Sequence, residues 1–425
     1  MNLLKNKVAK NAGWIIGCRM VQVVFALVIN LLTARYLGPS NYGLISYAAS
    51  VVNFVVPIMT LGINNVLVNE VLKKPEEEGK TLGTSLVLTF ISAICCIIGL
   101  TAFAAVANPG ESNTIIVCAL YGLLLIPQSF EMMQYWFQAK LLSKYTSISM
   151  LLAYIIVSAY KILLLVTGKN VYWFAISHAF DYSIIAILLF IIYFKKGGQR
   201  ISFSFKRASE IFSQSKHYIL AGIMGSVLAQ TDRIMLKMMG DVSDVGFYSA
   251  AYSTCGLTTF VFSAIIDSMR PLILEQKKTE HKDYEKNVIR LYSIITYLSL
   301  AQSAVLTVFS KYFILIFYGS AYTESIETLK IISWYTTFSY MGAVRNVWIL
   351  AEEKQKYLWI INFASMFLNI LINWILIPMW GINGAALATL LTQIFANVVM
   401  GYIIKPIRKN NKLLIKGFNF INIFK

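Results

Sequence analysis

The chain has 425 residues, 57% of them hydrophobic and only 13% charged, with a mean hydropathy of +0.65. A soluble globular protein of that composition would expose far too much apolar surface, so the solvent is lipid. The net charge of +17 does not point to nucleic acid either, because the basic residues fall on alternate loops and act as an orientation signal.

A spanning helix needs about 20 largely apolar residues. Such windows run over 13–34, 44–62, 82–106, 114–137, 145–167 and 171–194, then over 213–239, 245–267, 291–318, 328–350, 357–379 and 382–404. The predicted fold is all-α and integral to the membrane, with about twelve transmembrane helices in two bundles of six around a central cavity. Residues 1–194 form the N-terminal bundle, 195–208 a basic cytoplasmic linker, 209–404 the C-terminal bundle and 405–425 a basic cytoplasmic tail. Lys5, Lys7 and Lys10 precede the first window, Lys73, Lys74 and Lys80 follow the second, and Lys140 and Lys144 follow the fourth. Lys195, Lys196, Arg200, Lys206 and Arg207 lie in the linker, while Arg270, Lys277 and Lys278 follow the eighth window. The opposite loops hold almost nothing basic, which places both termini in the cytoplasm.

Arg19 interrupts the first apolar run and no small-residue cleavage site follows, so that run is an uncleaved helix rather than a signal peptide. The tail mixes Arg408, Lys409, Lys412 and Lys416 with Leu413, Leu414, Phe418, Phe420 and Phe424. It reads either as a segment lying on the anionic inner leaflet or as a disordered one. The five cysteines all fall inside predicted helices with no disulfide or metal-ligand spacing, as small apolar packing residues do.

Ionisable groups inside hydrocarbon are costly and mark functional positions by default. On the first helix Asn11, Arg19, Gln22, Asn30 and Thr33 fall in one sector, a polar stripe that either lines a hydrated cavity or packs as a seam against a neighbouring helix. The fourth helix carries Gln128, Glu131, Gln134, Tyr135 and Gln138 on one side, after a kink expected at Pro127. There Glu131 is placed to bind sugar hydroxyls or accept a coupling proton. Pro57 is a second candidate kink, in the second helix. On the sixth helix Ser177, His178 and Asp181 share a face, as a titrating pair or as a satisfied His–Asp hydrogen bond. On the seventh, Arg233 and Lys237 share a face with Gly222, Ser226 and Gln230, and Asp232 points about a quarter-turn away. The fork of donors on Arg233 suits a phosphate, with Asp232 holding it in place; the competing role is an Asp–Arg pair that locks two helices together. Lys161, Lys237, Lys330 and Arg345 lie near enough to helix ends to snorkel. Phosphate loops, His-Glu-x-x-His and Gly-x-Ser-x-Gly are missing, and no outer loop is long enough for a catalytic domain, so no catalytic residue, metal or cofactor is predicted.

One phrase occurs twice, each time between apolar segments: Leu-Gly-Pro-Ser-Asn-Tyr-Gly-Leu-Ile-Ser-Tyr-Ala at 37–48 and Met-Gly-Asp-Val-Ser-Asp-Val-Gly-Phe-Tyr-Ser-Ala-Ala at 239–251. Internal similarity of this kind is the mark of a transporter built from related bundles, here parallel repeats about an axis along the membrane normal. Aligning the phrases sets Arg35 opposite Lys237 and Asn30 opposite Asp232.

The stretches 33–43, 230–240 and 245–251 resemble the most distinctive phrases of the polysaccharide biosynthesis protein family, with further matches at 316–322 and 381–389. That family lies in the multidrug/oligosaccharidyl-lipid/polysaccharide exporter superfamily, and the resemblance covers essentially the whole chain. It implies a flippase rather than an enzyme, similar to O-antigen and capsule repeat-unit flippases of the bacterial inner membrane. The implied substrate is an undecaprenyl-pyrophosphate-linked oligosaccharide, moved from the inner to the outer leaflet by alternating access, with Arg19, Arg233 and Lys237 as cation candidates for the diphosphate. No cofactor is implied; proton or sodium coupling through Asp232, Glu131 or His178 stays open. Implied partners are the lipid-linked glycan, the bilayer, and the polysaccharide polymerase and chain-length regulator of the pathway. The alternatives are a drug or cation antiporter of the same superfamily, whose members typically carry an acid in the first helix where this chain has Arg19, and a membrane enzyme acting on the lipid carrier.

Overall fold

The computed structural model describes the backbone of residues 2–423 and, from residue 17 on, their side chains apart from those of 19 and 24. Among the described residues there is no β-strand, and the helices are α1 (Asn2–Met59), α2 (Leu67–Lys73), α3 (Glu78–Ala107), α4 (Ser112–Gly122), α5 (Leu125–Ser129), α6 (Met133–Ala139), α7 (Ser143–Val166), α8 (Val171–Lys195), α9 (Phe205–Met239), α10 (Val242–Gly256), α11 (Thr259–Lys278), α12 (Tyr284–Val308), α13 (Ser310–Phe317), α14 (Ser325–Ala351), α15 (Lys356–Ile394), α16 (Met400–Ile403) and α17 (Arg408–Gly417). By length and composition 8 stretches among the described residues qualify as membrane spans, or 9 with α10 and α11 taken as one span bent by 42°. Two of these, Met20–Met59 and Lys356–Ile403, are too long for one crossing and are broken at glycines with non-helical backbone, Gly38 and Gly381. Counting each as a pair, and adding the 27-residue α14, recovers the twelve crossings expected.

The break at Gly38 has a local cause. Pro39 bars the helical conformation to the residue before it, and Gly38 takes φ 70° and ψ 173°, a left-handed φ that costs glycine little. In the second phrase the turn is made differently: Asp241 caps α10 in a capping box with Asp244, whose carboxylate accepts the Asp241 N–H at 3.1 Å. On the fourth crossing the expected kink at Pro127 appears as a run of short pieces, α4, α5, a 3-10 turn at Phe130–Met132 and α6.

The molecule divides into two compact units, residues 1–37 with 44–230, and residues 38–43 with 231–425. In the first, α7 packs on α8, α3 on α4 and α5, and α2 on α6. Its core gathers Leu86, Met133, Trp136, Phe137, Leu189 and Tyr193, with the Trp136 and Tyr193 rings edge-on at 4.7 Å. Residues 195–208, expected as a linker, lie along this unit as a strap. Gln199 donates to the Pro75 carbonyl at 2.9 Å, Tyr193 donates to the Gln199 carbonyl at 2.7 Å, and the Ser204 N–H donates to Thr84 Oγ1 at 3.1 Å. Near its end Arg207, buried at 3% exposure, donates to Thr81 Oγ1 at 2.6 Å and to the carboxylates of Glu210 at 2.7 Å and Glu70 at 3.4 Å.

In the second unit α14 packs on α10, α11, α12 and α15 around Tyr292, Met341, Val344 and Trp348. Two hairpin tips meet here at backbone distance. A Cβ on Gly43 would overlap the Val242 carbonyl oxygen, and a Cβ on Gly246 would overlap the Pro39 carbonyl oxygen. The tail is a further finding: rather than disordered, residues 408–417 form α17, whose Asn410, Asn411, Leu413 and Leu414 are buried against this unit.

Candidate functional site

Residue 232 is the first ionisable group of α9 inside the second unit, and it is deeply buried, at 5% exposure. Four side chains converge on its carboxylate. Oδ1 accepts from Asn373 Nδ2 at 2.7 Å and Asn369 Nδ2 at 3.2 Å; Oδ2 accepts from Thr389 Oγ1 at 2.6 Å and from the Tyr248 hydroxyl at 2.8 Å. All four donors are neutral side chains, and between them they occupy both carboxylate oxygens. The helices make the convergence inevitable once packed: Asn369 and Asn373 are four residues apart on one face of α15, Thr389 follows on the same long helix beyond Gly381, and Tyr248 stands on α10.

Three of the four donors have a second bond within reach. Tyr248 and Thr389 hydroxyls are 3.0 Å apart, Thr389 also reaches the Ala385 carbonyl at 3.0 Å, and Asn369 Nδ2 reaches Thr392 Oγ1 at 3.3 Å. Meanwhile the amide oxygens of Asn369 and Asn373 are buried with no hydrogen-bond partner. Turning each amide over exchanges its nitrogen for its oxygen, which gives the carboxylate two carbonyl-type neighbours in place of two donors. The arrangement therefore suits either a bare carboxylate or a carboxylate sharing a small cation with oxygen ligands.

Arg233, the next residue, points elsewhere. Its Nε donates to Ser249 Oγ at 3.1 Å, and its guanidinium lies 4.4 Å from the centre of the Tyr252 ring. Tyr252 in turn stacks on Tyr335, with centroids 5.4 Å apart and planes at 19°. The result is a half-buried cation on a shelf of aromatic faces. Lys237, one turn further on and expected to snorkel, is instead buried at 7% exposure. Arg345 is likewise buried, at 5%, because its guanidinium is spent on the Ala396 carbonyl and on Asn346 Oδ1 rather than on the interface with water.

The candidates in the first unit are scattered by comparison. Gln22 is half-buried, Asn30 is exposed and Thr33 is buried with an unpartnered hydroxyl, while the side chains of Asn11 and Arg19 lie outside the described residues. Exposure therefore varies along the described part of the stripe on α1. Glu131 lies half-buried in the 3-10 turn, between Gln128, which reaches the Tyr182 hydroxyl at 3.4 Å, and Gln134. His178 and Asp181 do not hydrogen-bond to each other: the imidazole packs against the Tyr121 ring, tilted by 36° with centroids 4.7 Å apart, and Asp181 has Lys161 of α7 as its electrostatic neighbour with Oδ1 unpartnered. Residues three apart on a helix can meet, but here the Tyr121 ring takes the imidazole.

Sequence reasoning singled out Asp232 but missed Tyr248, Asn369, Asn373 and Thr389. A signal was available: two asparagines spaced by four inside an otherwise apolar helix, and a tyrosine and a threonine inside the very phrases, 245–251 and 381–389, that carry the resemblance.

Comparison with known proteins follows the same direction. Solved structures with the same fold include an inward-facing multidrug resistance MATE family transporter of the MOP superfamily, at a TM-score of 0.70 and 13% identity over 93% of this chain and 96% of that one. The lipid II flippase MurJ in an inward closed conformation matches with a TM-score of 0.69 and 14% identity over 95% of this chain and 90% of that one. Among curated relatives, the capsular polysaccharide biosynthesis protein CapF of Staphylococcus aureus is 23% identical over 414 residues, covering 94% of this chain and 99% of that one. The "Probable low-salt glycan biosynthesis flippase Agl15" of Haloferax volcanii is 25% identical over 190 residues, a stretch that spans 44% of this chain and 40% of that relative. The description "Polysaccharide biosynthesis protein" matches residues 8–277, well over half the chain, which as a multi-pass helical membrane protein belongs to that family.

Proposed function

We propose that this protein is a flippase, not an enzyme, that moves an undecaprenyl-pyrophosphate-linked oligosaccharide from the cytoplasmic to the outer leaflet of a bacterial inner membrane, for O-antigen, capsule or exopolysaccharide synthesis. Family membership and the near full-length likeness to a capsular polysaccharide biosynthesis protein support the substrate class. The observation that carries the reading is the Arg233–Tyr252–Tyr335 shelf. A guanidinium offers paired donors to a phosphate, and an aromatic face accepts the apolar side of a sugar ring, so one surface addresses both parts of a lipid-linked sugar diphosphate. Transport is by alternating access with both termini in the cytoplasm, and the bond between sugar and carrier stays intact.

The coupling ion is a small hard cation, of which sodium is the accessible case, taken up at Asp232. With the amides of Asn369 and Asn373 turned over, their oxygens would join the Asp232 carboxylate as ligands to a bound cation, while the Tyr248 and Thr389 hydroxyls would keep a path to the Ala385 carbonyl. Because Tyr248 also lies under Arg233, with 5.9 Å from guanidinium to ring centre, the loaded and unloaded states present Arg233 differently. The test is inward-to-outward movement of a fluorescent undecaprenyl-pyrophosphate oligosaccharide in liposomes holding the purified protein, with and without a sodium gradient. Arg233→Gln is expected to slow movement about tenfold or more, the loss of one charge-assisted contact. Asp232→Asn is expected to remove the response to the gradient. Movement of cationic drugs with no movement of the glycan would replace the flippase by the antiporter.

A further inference from the structure

The last span contains a π turn, Phe395–Val399, between α15 and α16. Such a turn inserts a residue into the helical ladder and leaves carbonyls to be satisfied from outside it. Two side chains do so here. Arg345 of α14 donates to the Ala396 carbonyl, and Asn411 of α17 donates to the Val398 carbonyl at 2.8 Å. The tail helix is thus not an appendage: one of its residues completes the backbone bonding of a transmembrane segment.

The two sides of α17 are made for different surroundings. The inner side holds Asn410, which accepts from the Tyr292 hydroxyl at 2.7 Å, Asn411, Leu413 and Leu414, and then Gly417 set against the Tyr292 Cβ position. With two asparagines and a glycine, that side is matched to protein and poorly matched to hydrocarbon. The outer side exposes Arg408, Lys409, Lys412, Ile415 and Lys416, and the chain then exposes Phe418 and Phe420. Lys409 pairs with Glu285 at 2.6 Å, while Lys412 and Lys416 have no acidic partner within ion-pair distance among the described residues. Exposed lysines without counter-charge beside exposed aromatics, at the end of a transmembrane helix, are complementary to an anionic lipid surface.

We infer that the outer side of docked α17 binds the anionic bilayer surface and that this binding holds the tail against the π turn, so that the charge of the leaflet sets how firmly the last span is closed. The docked helix is the form that binds, because docking gives Asn410 and Asn411 one protein hydrogen bond each while the lysines face lipid. A membrane that instead drew the tail off the protein would have to solvate Asn410 and Asn411 in its interface.

The experiment is hydrogen exchange of backbone amides 395–403 in the full-length protein, in nanodiscs of phosphatidylcholine alone or with phosphatidylglycerol. In the wild type, phosphatidylglycerol is expected to slow exchange by about fivefold or more, the factor one basic side chain near an anionic surface supplies. Lys412→Gln with Lys416→Gln is expected to keep the phosphatidylcholine rate and lose the slowing. Asn411→Ala is expected to speed exchange in both lipids. Equal or faster wild-type exchange in phosphatidylglycerol overturns the inference, as does slowing that survives both lysine substitutions or protection that survives Asn411→Ala. None of these readouts depends on which substrate is carried.

Discussion

Asp232 and Asp181 are both acids inside transmembrane helices, yet the structure treats them in opposite ways. Asp232 is enclosed by four donors from two helices, with a second bonding pattern built into the same side chains. Asp181 keeps one oxygen without a partner and has Lys161 as its electrostatic neighbour, while the histidine three residues before it packs against the Tyr121 ring instead. The difference separates a carboxylate that is part of the framework from one that is only placed. A carboxylate beside an unsatisfied group can be exchanged by one substitution; a carboxylate that four donors share cannot be removed without costing those bonds.

That contrast can be broken by measurement. Asp232→Ala removes four hydrogen bonds and leaves the buried Asn373 amide, whose one acceptor among the described residues is Asp232, unpaired; it is expected to cost about 3 kcal/mol or more of stability, read as a fall in thermal midpoint of the detergent-purified protein. A stable Asp232→Ala protein would mean that the shell repacks freely and that its geometry carries no function. Gly246→Ala comes next: its methyl has to displace the Pro39 carbonyl, a backbone atom, so a loss of about 1–3 kcal/mol is expected, with Gly43→Ala close behind. Asp181→Asn should change stability by no more than about 0.5 kcal/mol, since no direct hydrogen bond to His178 is lost. An effect as large as that of Asp232→Ala would show that Asp181 has a shell of its own and would erase the comparison.

The architecture was readable from sequence to a large degree because lipid imposes it. Apolar windows of the right length, Gly38-Pro39 as a break and basic residues on alternate loops are all one-dimensional signals. The site was only half readable. Asp232 and Arg233 stand out as charges in an apolar helix, but their partners are a tyrosine, two asparagines and a threonine from helices far along the chain, residue types that are common enough to be ignored until packing brings them together. The His178–Asp181 pairing failed for the converse reason: helical spacing states that two side chains can meet, not that a nearer ring is absent. Arg345 escaped in the same way, since closeness to a helix end suggests water while the carbonyl it caps is made available only by a π turn.

The two hairpin tips carry one more implication. The same offset of 203 residues separates Pro39 from Val242 and Gly43 from Gly246, and the overlaps run from Gly43 to Val242 and from Gly246 to Pro39. Each tip therefore offers its neighbour what it receives, a bare α-carbon against a carbonyl oxygen, which is the self-complementary form of a two-fold dimer interface. Carried on a single polypeptide, that interface forms by intramolecular closure, so its occupancy is independent of how much protein the membrane holds.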